Sequence, residues 1–373
     1  MKEVLFYSDG MGKGGLDKAL VEMANALDKS RFKVTVMVRF PSGHFYDRLD
    51  KDVKLIYNMP FKCEVSEIYN HTVRVLCDRL PRKLIYKLFI KNKYDVEIAC
   101  GDDFAATIIG GSTNKKSKKI LWEHMDVTRD ISTATYFSKD KINKFFEPFD
   151  KIVGVSRECR DKFIEKYGFA DRTSYVYNAI NKKEIERLAK EFKASEYTGD
   201  KINILSIGRF MPQKAFVRLI EVARRLKEKT DKFRLFIIGD GPEREYVEKK
   251  IVEYNLEEDV VLLGYKENPY PYIEQADLFV CASVHESYCL VVAESIILNT
   301  PVVSTRCTGP VELLKNGEYG MLVSNDESGL YNGLLEMIEN DDLRNKYKKK
   351  TIERKSFFEM EKCIKEWENI IES

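Results

Sequence analysis

Residues 277–294 read D-L-F-V-C-A-S-V-H-E-S-Y-C-L-V-V-A-E. The run 277–281 is short and apolar, which predicts a buried strand. Leu290, Val291, Val292 and Ala293, then Ile296, Ile297 and Leu298, predict a helix that starts near Tyr288 and is packed on most sides. Glu286 then falls in the loop before the helix, and Glu294 about two turns along it. A strand that leads through a carboxylate-bearing loop into a helix N-terminus suits a ligand carrying both phosphates and hydroxyls, because the helix end attracts anions. Two solvated surface glutamates would give the same letters, so the flanking sequence has to decide.

That flanking sequence repeats the strand–turn–helix unit. Residues 202–207 (I-N-I-L-S-I) predict a strand, followed by Gly208-Arg209-Phe210-Met211-Pro212-Gln213-Lys214 and a helix over 217–227. A strand at 233–238 ends in Gly239-Asp240-Gly241-Pro242, and one at 260–263 enters Gly264-Tyr265-Lys266. Helices follow at 245–254 and 270–275; further strands are expected at 302–304 and 320–323, with a loop at 306–309. Arg209 and Lys214 lie just past a strand. The fork of Arg and the point charge of Lys together fit a pyrophosphate leaving group. Thr308-Gly309-Pro310 is expected to present backbone N–H groups near the same helix N-terminus.

The first half opens the same way. A strand at 4–7 is followed by Gly10, Gly12, Gly14 and Gly15, then an amphipathic helix over 16–27. Strand, glycine-rich turn and helix begin a phosphate-binding βαβ unit. Gly10-x-Gly12-x-x-Gly15 also matches a dinucleotide fingerprint. That pattern expects an acid at the end of the second strand, where this chain has Val38-Arg39-Phe40. An NADP oxidoreductase using Arg39 is therefore a rival, though it leaves the whole second half unexplained. Further strands are predicted at 32–40, 53–57, 96–100, 119–123, 152–155 and 174–177, with a helix at 157–167. His124, just past the strand 119–123, is placed at the ligand-binding edge of an open α/β sheet; a satisfied loop histidine is the competing reading. The domain junction falls near 178–200, and two tandem α/β halves imply two sheets facing across a cleft.

Residues 64–93 are expected to be mainly helical and divided at Pro81. Between 72 and 93, seven cations (Arg74, Arg79, Arg82, Lys83, Lys87, Lys91, Lys93) face one acid, Asp78, among leucines at helical spacing. Either this is a core-packed helix with a solvated basic face, or it lies on anionic lipid with its apolar face down. Composition narrows the class. With 44% hydrophobic and 33% charged residues the chain is that of a globular protein. No apolar run reaches the ~20 residues a membrane span needs. The N-terminus enters a strand directly, without a signal-peptide core. The net charge of +2 gives no global bias toward nucleic acid. Eight scattered cysteines without a C-x-x-C pair, and four isolated histidines, point to reduced thiols in a cytosolic protein and away from disulfides or a zinc site.

With these motifs in order, the chain resembles the retaining GT-B glycosyltransferases of family four (glycosyl transferases group 1), of the bacterial surface-polysaccharide type. Gly208-Arg209…Lys214, Gly239-Asp240-Gly241-Pro242, Gly264 and Glu286-x7-Glu294 occur in that family's order. Pro301-Val302-Val303, Gly309, Glu312, Asn316-Gly317 and Gly320 continue it. In the first half Gly14-Gly15, His124, Val155-Ser156 and Asn178-Ala179-Ile180 match, and Lys355-Ser356-Phe357-Phe358-Glu359 is similar to a late family segment. The likeness covers nearly the whole chain. It implies an α/β fold of the GT-B kind, with an acceptor-binding Rossmann-like domain at 1–178 and a donor-binding one at 179–355. A helix at 356–373 is implied to cross back to the first domain.

The resemblance also implies roles. Arg209 and Lys214 would neutralise the nucleotide diphosphate, Glu294 would bind ribose hydroxyls, and Glu286 would hold the donor sugar. Gly208, Gly239, Asp240, Gly241, Tyr265 and Lys266 would lie along the donor, with the last five around the base. Ser287, Tyr288, Cys289 and Leu290 would flank the sugar, Gly14 and Gly15 would approach the diphosphate, and His124 would line the reaction centre. No metal and no cofactor are expected; cations and helix ends take the leaving-group charge. The implied activity is retaining, metal-independent hexosyl transfer from a UDP- or GDP-sugar to a glycan or polyprenyl-linked acceptor. The enzyme is expected in the cytoplasm, docked peripherally on the inner face of the plasma membrane through Arg79, Arg82, Lys83 and Lys87. A non-catalytic nucleotide-sugar or glycan-binding module on the same fold is the alternative. The chain departs from the family at Ser287-Tyr288-Cys289, where Gly-Phe-Gly is common, at Tyr177 and Ala179, where Pro and Gly are usual, and at Ala215-Phe216, where a Gly is frequent. These read as changes of specificity, because both cations and both glutamates remain.

Overall fold

The computed structural model describes residues 1–12, 14–39, 45–58, 80–101, 104–124, 144–197 and 199–373. The chain divides into two compact units, Met1–Ile180 with Glu359–Ser373, and Asn181–Phe358. The first unit holds seven strands: β1 (Lys2–Ser8), β2 (Phe32–Val38), β3 (Lys54–Tyr57), β4 (Val96–Cys100), β5 (Lys118–Glu123), β6 (Lys151–Gly154) and β7 (Thr173–Tyr175). They pair in the order β3-β2-β1-β4-β5-β6-β7, every pair parallel. Val4, Leu5, Phe6 and Tyr7 of β1 are wholly buried, as expected of a central parallel strand covered by helices on both faces. Strand order reverses between β1 and β4, and ligands of open α/β sheets bind beyond the strand ends at such a reversal.

The second unit repeats the plan with β8 (Ile202–Ile207), β9 (Phe233–Ile238), β10 (Val260–Gly264), β11 (Leu278–Cys281), β12 (Val302–Thr305) and β13 (Met321–Val323). Their order is β10-β9-β8-β11-β12-β13, again all parallel. The reversal here lies between β8 and β11. Those two strands feed the loop carrying Arg209 and Lys214 and the loop carrying Glu286. Phe210, Phe216, Leu219, Ile220 and Val280 pack in one core beneath them.

Several boundaries differ from those the sequence predicts. The helix after β11 is Leu290–Ile297 and does not begin near Tyr288, because Cys289 adopts a left-handed conformation (φ 68°) and caps it. Glu294 consequently sits about one turn into the helix, not two. Helix Phe104–Gly110 has no counterpart in the sequence reading; F-A-A-T-I-I-G is buried almost throughout and offers no polar face for a helical period to show. The expected loop at 306–309 gives way to helix Thr308–Leu313. Pro81 caps helix Arg82–Phe89, and the basic residues Arg74 and Arg79 lie outside the described residues.

Helix Met360–Glu372 belongs to the first unit. Trp367 is fully buried and meets Trp122 of β5 edge-on with ring centroids 5.0 Å apart. Glu368 pairs with Arg31 at 2.7 Å. Lys2 Nζ and Lys118 Nζ donate to the carbonyls of Ile371 and Ile370 at 3.2 and 2.5 Å, two cations at the negative end of a helix dipole. No helix among the described residues is long and apolar enough to cross a membrane.

Candidate functional site

The crevice between β8 and β11 brings two of the expected residues into contact. Lys214 Nζ lies 2.5 Å from Glu286 Oε1. Glu286 is buried, and the Ser283 hydroxyl donates to the same oxygen at 2.7 Å. The two loops are stitched together by backbone: the Val284 amide donates to the Gln213 carbonyl at 2.8 Å, and Gln213 Nε2 donates to the His285 carbonyl at 2.9 Å. Burial alone would press the Lys214 ammonium down. Glu286 beside it, with the Cys289 and Cys281 sulfurs, carries it above the ordinary lysine value instead. A permanently charged ammonium is thus fixed at the sheet's reversal point.

Gly309 locks this corner from a third strand end. Its amide donates to the Glu286 carbonyl at 2.8 Å, and a Cβ there would stand 2.3 Å from the Tyr288 carbonyl oxygen. Only glycine permits that approach. The amide expected to greet a ligand therefore holds Glu286's own backbone, and Pro310 has no N–H to offer. Cys281 and Cys289, at the end of β11 and at the helix cap, place their sulfurs 3.8 Å apart. The hydrogen bond from Cys289 pulls the Cys281 thiol below the ordinary cysteine value, against the effect of burial.

Other expected donor residues surround this pair with distinct environments. Arg209 is exposed and its guanidinium has no partner among the described residues. Glu294 is buried in helix Leu290–Ile297, and Tyr288 is buried before it, while Ser287 and Leu290 are half-buried. The helix has no side-chain cap. Gly208 and Gly239 serve packing between strand ends: a Cβ on Gly239 would lie 1.8 Å from the Gly208 carbonyl oxygen. The Gly241 amide donates to exposed Asp240 at 2.8 Å. Tyr265 is exposed, whereas Lys266 leans over the Tyr272 ring, 5.4 Å from its centroid, toward Glu196.

In the first unit, Gly14 and Gly15 are exposed at the start of helix Gly15–Ala26. Asp17 turns back to accept from the Gly14 amide at 3.0 Å, a local carboxylate where a ligand phosphate was expected. Burial raises Asp17 to about 6, against the pull of the Gly14 and Gly12 amides. His124 follows β5, its ring 4.5 Å from that of Trp122. Its Nε2 is enclosed without a hydrogen-bond partner among the described residues, and burial lowers the imidazole to about 3. His124 is thus neutral at working pH. Arg39, needed by the NADP reading, is buried against the Phe104 ring at 4.7 Å, where no exposed 2′-phosphate could reach it.

The basic segment also needs correction. Arg82 does not stand with the exposed cations: it stacks on Phe145, 4.0 Å from the ring centroid, and donates to the Phe145 carbonyl at 3.1 Å. Burial lowers it to about 10. Lys83 and Lys87 are exposed, and Arg79 lies outside the described residues. Sequence reasoning placed the Gly309 amide near this helix N-terminus but aimed it at a ligand, and it gave Ser283 no role; the signal that either supports Glu286 was its place just past a strand end.

Comparison with known proteins places this geometry. Residues 187–354 match the family model for glycosyl transferases group 1. An uncharacterised glycosyltransferase of Methanocaldococcus jannaschii is 29% identical over 333 residues, 77% of this chain and 82% of that protein. The N-acetylgalactosamine-N,N'-diacetylbacillosaminyl-diphospho-undecaprenol 4-alpha-N-acetylgalactosaminyltransferase of Campylobacter jejuni is 34% identical over 233 residues, 60% of this chain and 62% of that one. The crystal structure of Anabaena HepE in complex with UDP and glucose superposes with a TM-score of 0.77 over the full length of both chains, at 18% identity. The chain is therefore a glycosyltransferase of the GT-B fold, and most of its second unit, residues 187–354, matches the glycosyl transferases group 1 model.

Proposed function

We propose that the chain is a retaining hexosyltransferase that takes its sugar from a UDP- or GDP-linked donor and passes it to a glycan acceptor carried on a polyprenyl lipid. The observation that carries the reading is the Lys214–Glu286 contact at the reversal between β8 and β11. A fixed cation there meets a diphosphate, and the carboxylate beside it meets sugar hydroxyls. Arg209, exposed and without a partner among the described residues, adds a second cation for the same diphosphate. The uncapped start of helix Leu290–Ile297 adds oriented amides. These groups would stabilise the charge that develops as the bond from the anomeric carbon to the diphosphate oxygen breaks. The acceptor oxygen then bonds to that carbon on the same face, and its proton leaves to the departing diphosphate. Glu294, buried on the helix, is assigned to the ribose hydroxyls, and the first unit, with His124, to the acceptor.

Two further points support the donor and acceptor classes. HepE, alike in fold, was solved with UDP and glucose, and the Campylobacter relative is named for an undecaprenol-linked acceptor. On helix Arg82–Phe89, Ile85 and Tyr86 are buried while Leu84 and Leu88 are 45% and 59% exposed beside Lys83 and Lys87. Exposed leucines interleaved with lysines suit the surface of an anionic bilayer, where such an acceptor resides.

Nucleotide release with a panel of UDP- and GDP-sugars and a polyprenyl-linked acceptor tests the proposal. Turnover is expected with at least one donor. Glu286→Ala and Lys214→Ala are each expected to lower it by at least about a hundredfold. Absence of turnover with every donor, despite tight nucleotide binding, would point to a non-catalytic module. Wild-type rates in both variants would refute the site.

A further inference from the structure

The corner built by Lys214 and Glu286 contains two thiols to which the proposed sugar transfer assigns no chemical step. Cys281 closes β11, Cys289 caps helix Leu290–Ile297, and the loop between them carries Glu286. All three side chains are buried, and a ligand atom of each lies within 4.8 Å of the others. We propose that Cys281, Cys289 and Glu286 form an inhibitory binding site for a soft divalent cation of the zinc class.

The spacing is that of a metal site before any metal arrives. Two thiolates bound tetrahedrally at about 2.3 Å from zinc stand about 3.8 Å apart, and the Cys281 and Cys289 sulfurs are 3.8 Å apart. Glu286 uses Oε1 for both Lys214 and Ser283, which leaves Oε2 as the third ligand. Three protein ligands leave a fourth position open. The loop is held by the Gly309 and Val284 backbone bonds and by Ser283, whose carbonyl accepts from Thr305 at 2.6 Å, so the ligands need little rearrangement. The cluster already holds one cation, the Lys214 ammonium. A divalent ion would compete with it for Glu286, and binding to two thiols releases two protons as two metal–sulfur bonds form. With Glu286 taken and Lys214 displaced, donor binding fails. That inhibitory consequence rests on the proposed function; the binding itself does not.

The experiment uses the full chain, reduced with a phosphine and freed of metal, titrated with Co2+ in the absence of any donor. One equivalent is expected to produce thiolate-to-cobalt charge-transfer absorption, which Zn2+ then bleaches. Cys281→Ala and Cys289→Gly should each remove the band, and Cys363→Ala, in the other unit, should keep it. Cys289→Gly guards against misfolding, since glycine suits the left-handed cap. Lys214→Met should bind at least about tenfold tighter, because the competing charge is gone. Zn2+ should suppress nucleotide release, and a chelator restore it. No band at one equivalent, or a band that survives in Cys289→Gly, overturns the site. A band with no turnover on any donor would instead leave the site standing and sink the transferase reading.

Discussion

At the level of single residues, the two departures from the family pattern nearest the site share one physical cause. Ala215 (φ 54°) and Cys289 (φ 68°) both sit in the left-handed region, at the two loop-to-helix joints of the crevice. A side chain there costs roughly 1–2 kcal/mol relative to glycine, so Ala215→Gly is expected to stabilise the chain by up to about 1 kcal/mol once the freer unfolded chain is counted. Urea denaturation measures it; a loss of stability would mean that the Ala215 methyl packs usefully. Asp17 supplies a second test. Its folded value of about 6 lies above the free value of 3.8. The stability it contributes is therefore fully present below 3.8 and is lost as pH rises through about 6. Melting temperatures across that range should fall more steeply for the wild type than for Asp17→Asn, and parallel curves would remove Asp17 from the account. The charged members of the candidate site were legible in the sequence, because Arg209, Lys214 and Glu286 follow strand ends and Glu294 lies on the helix that the last of these loops enters. The thiol pair was not. Cys281 and Cys289 are eight positions apart and meet only because the intervening loop folds back.

Among the elements, the strands were legible nearly to the residue, since buried parallel strands are short apolar runs. Helices failed where the signal was not amphipathic: Phe104–Gly110 is buried almost throughout, and Thr308–Leu313 begins with Gly and Pro in its first turn. Helix Arg82–Phe89 shows how far a helical period can be trusted. It placed Leu84 and Leu88 on one apolar stripe, yet it counted Arg82 among the exposed cations, and the Phe145 ring and carbonyl explain why that guanidinium turns inward. The exposed pair Leu84 and Leu88 makes the membrane proposal testable at this scale. Leu84→Ser with Leu88→Ser is expected to weaken sedimentation with phosphatidylglycerol-containing vesicles at least about tenfold, since each leucine removed from the interface forfeits roughly 1.5 kcal/mol or more. Turnover on a soluble acceptor should be unaffected. Equal sedimentation of variant and wild type would make this helix an ordinary solvated surface.

Across the whole molecule, the C-terminal helix is the element whose place local patterns could not give. The family resemblance implied that it crosses back to the first domain, but its partner lies some 250 positions away in β5. The helix returns to the first unit and closes over the same strand that ends at His124, so that Trp367, Trp122 and His124 form a continuous chain of ring contacts. Its anchoring combines one large buried ring with charge placed along its last turns: Glu368 on Arg31, and Lys2 and Lys118 on the final carbonyls. The ring dominates energetically, because the Lys2 contact and the Arg31 side chain are partly exposed and worth little each. Trp367→Ala is accordingly expected to cost about 3–5 kcal/mol, whereas Arg31→Ala should cost about 1 kcal/mol or less. If the tryptophan also holds the end of β5, the Trp367→Ala chain should lose turnover under conditions where circular dichroism shows it still folded, while Arg31→Ala keeps it. Equal and small losses of stability in the two variants would show that the helix is held by its charges and not by the buried indole.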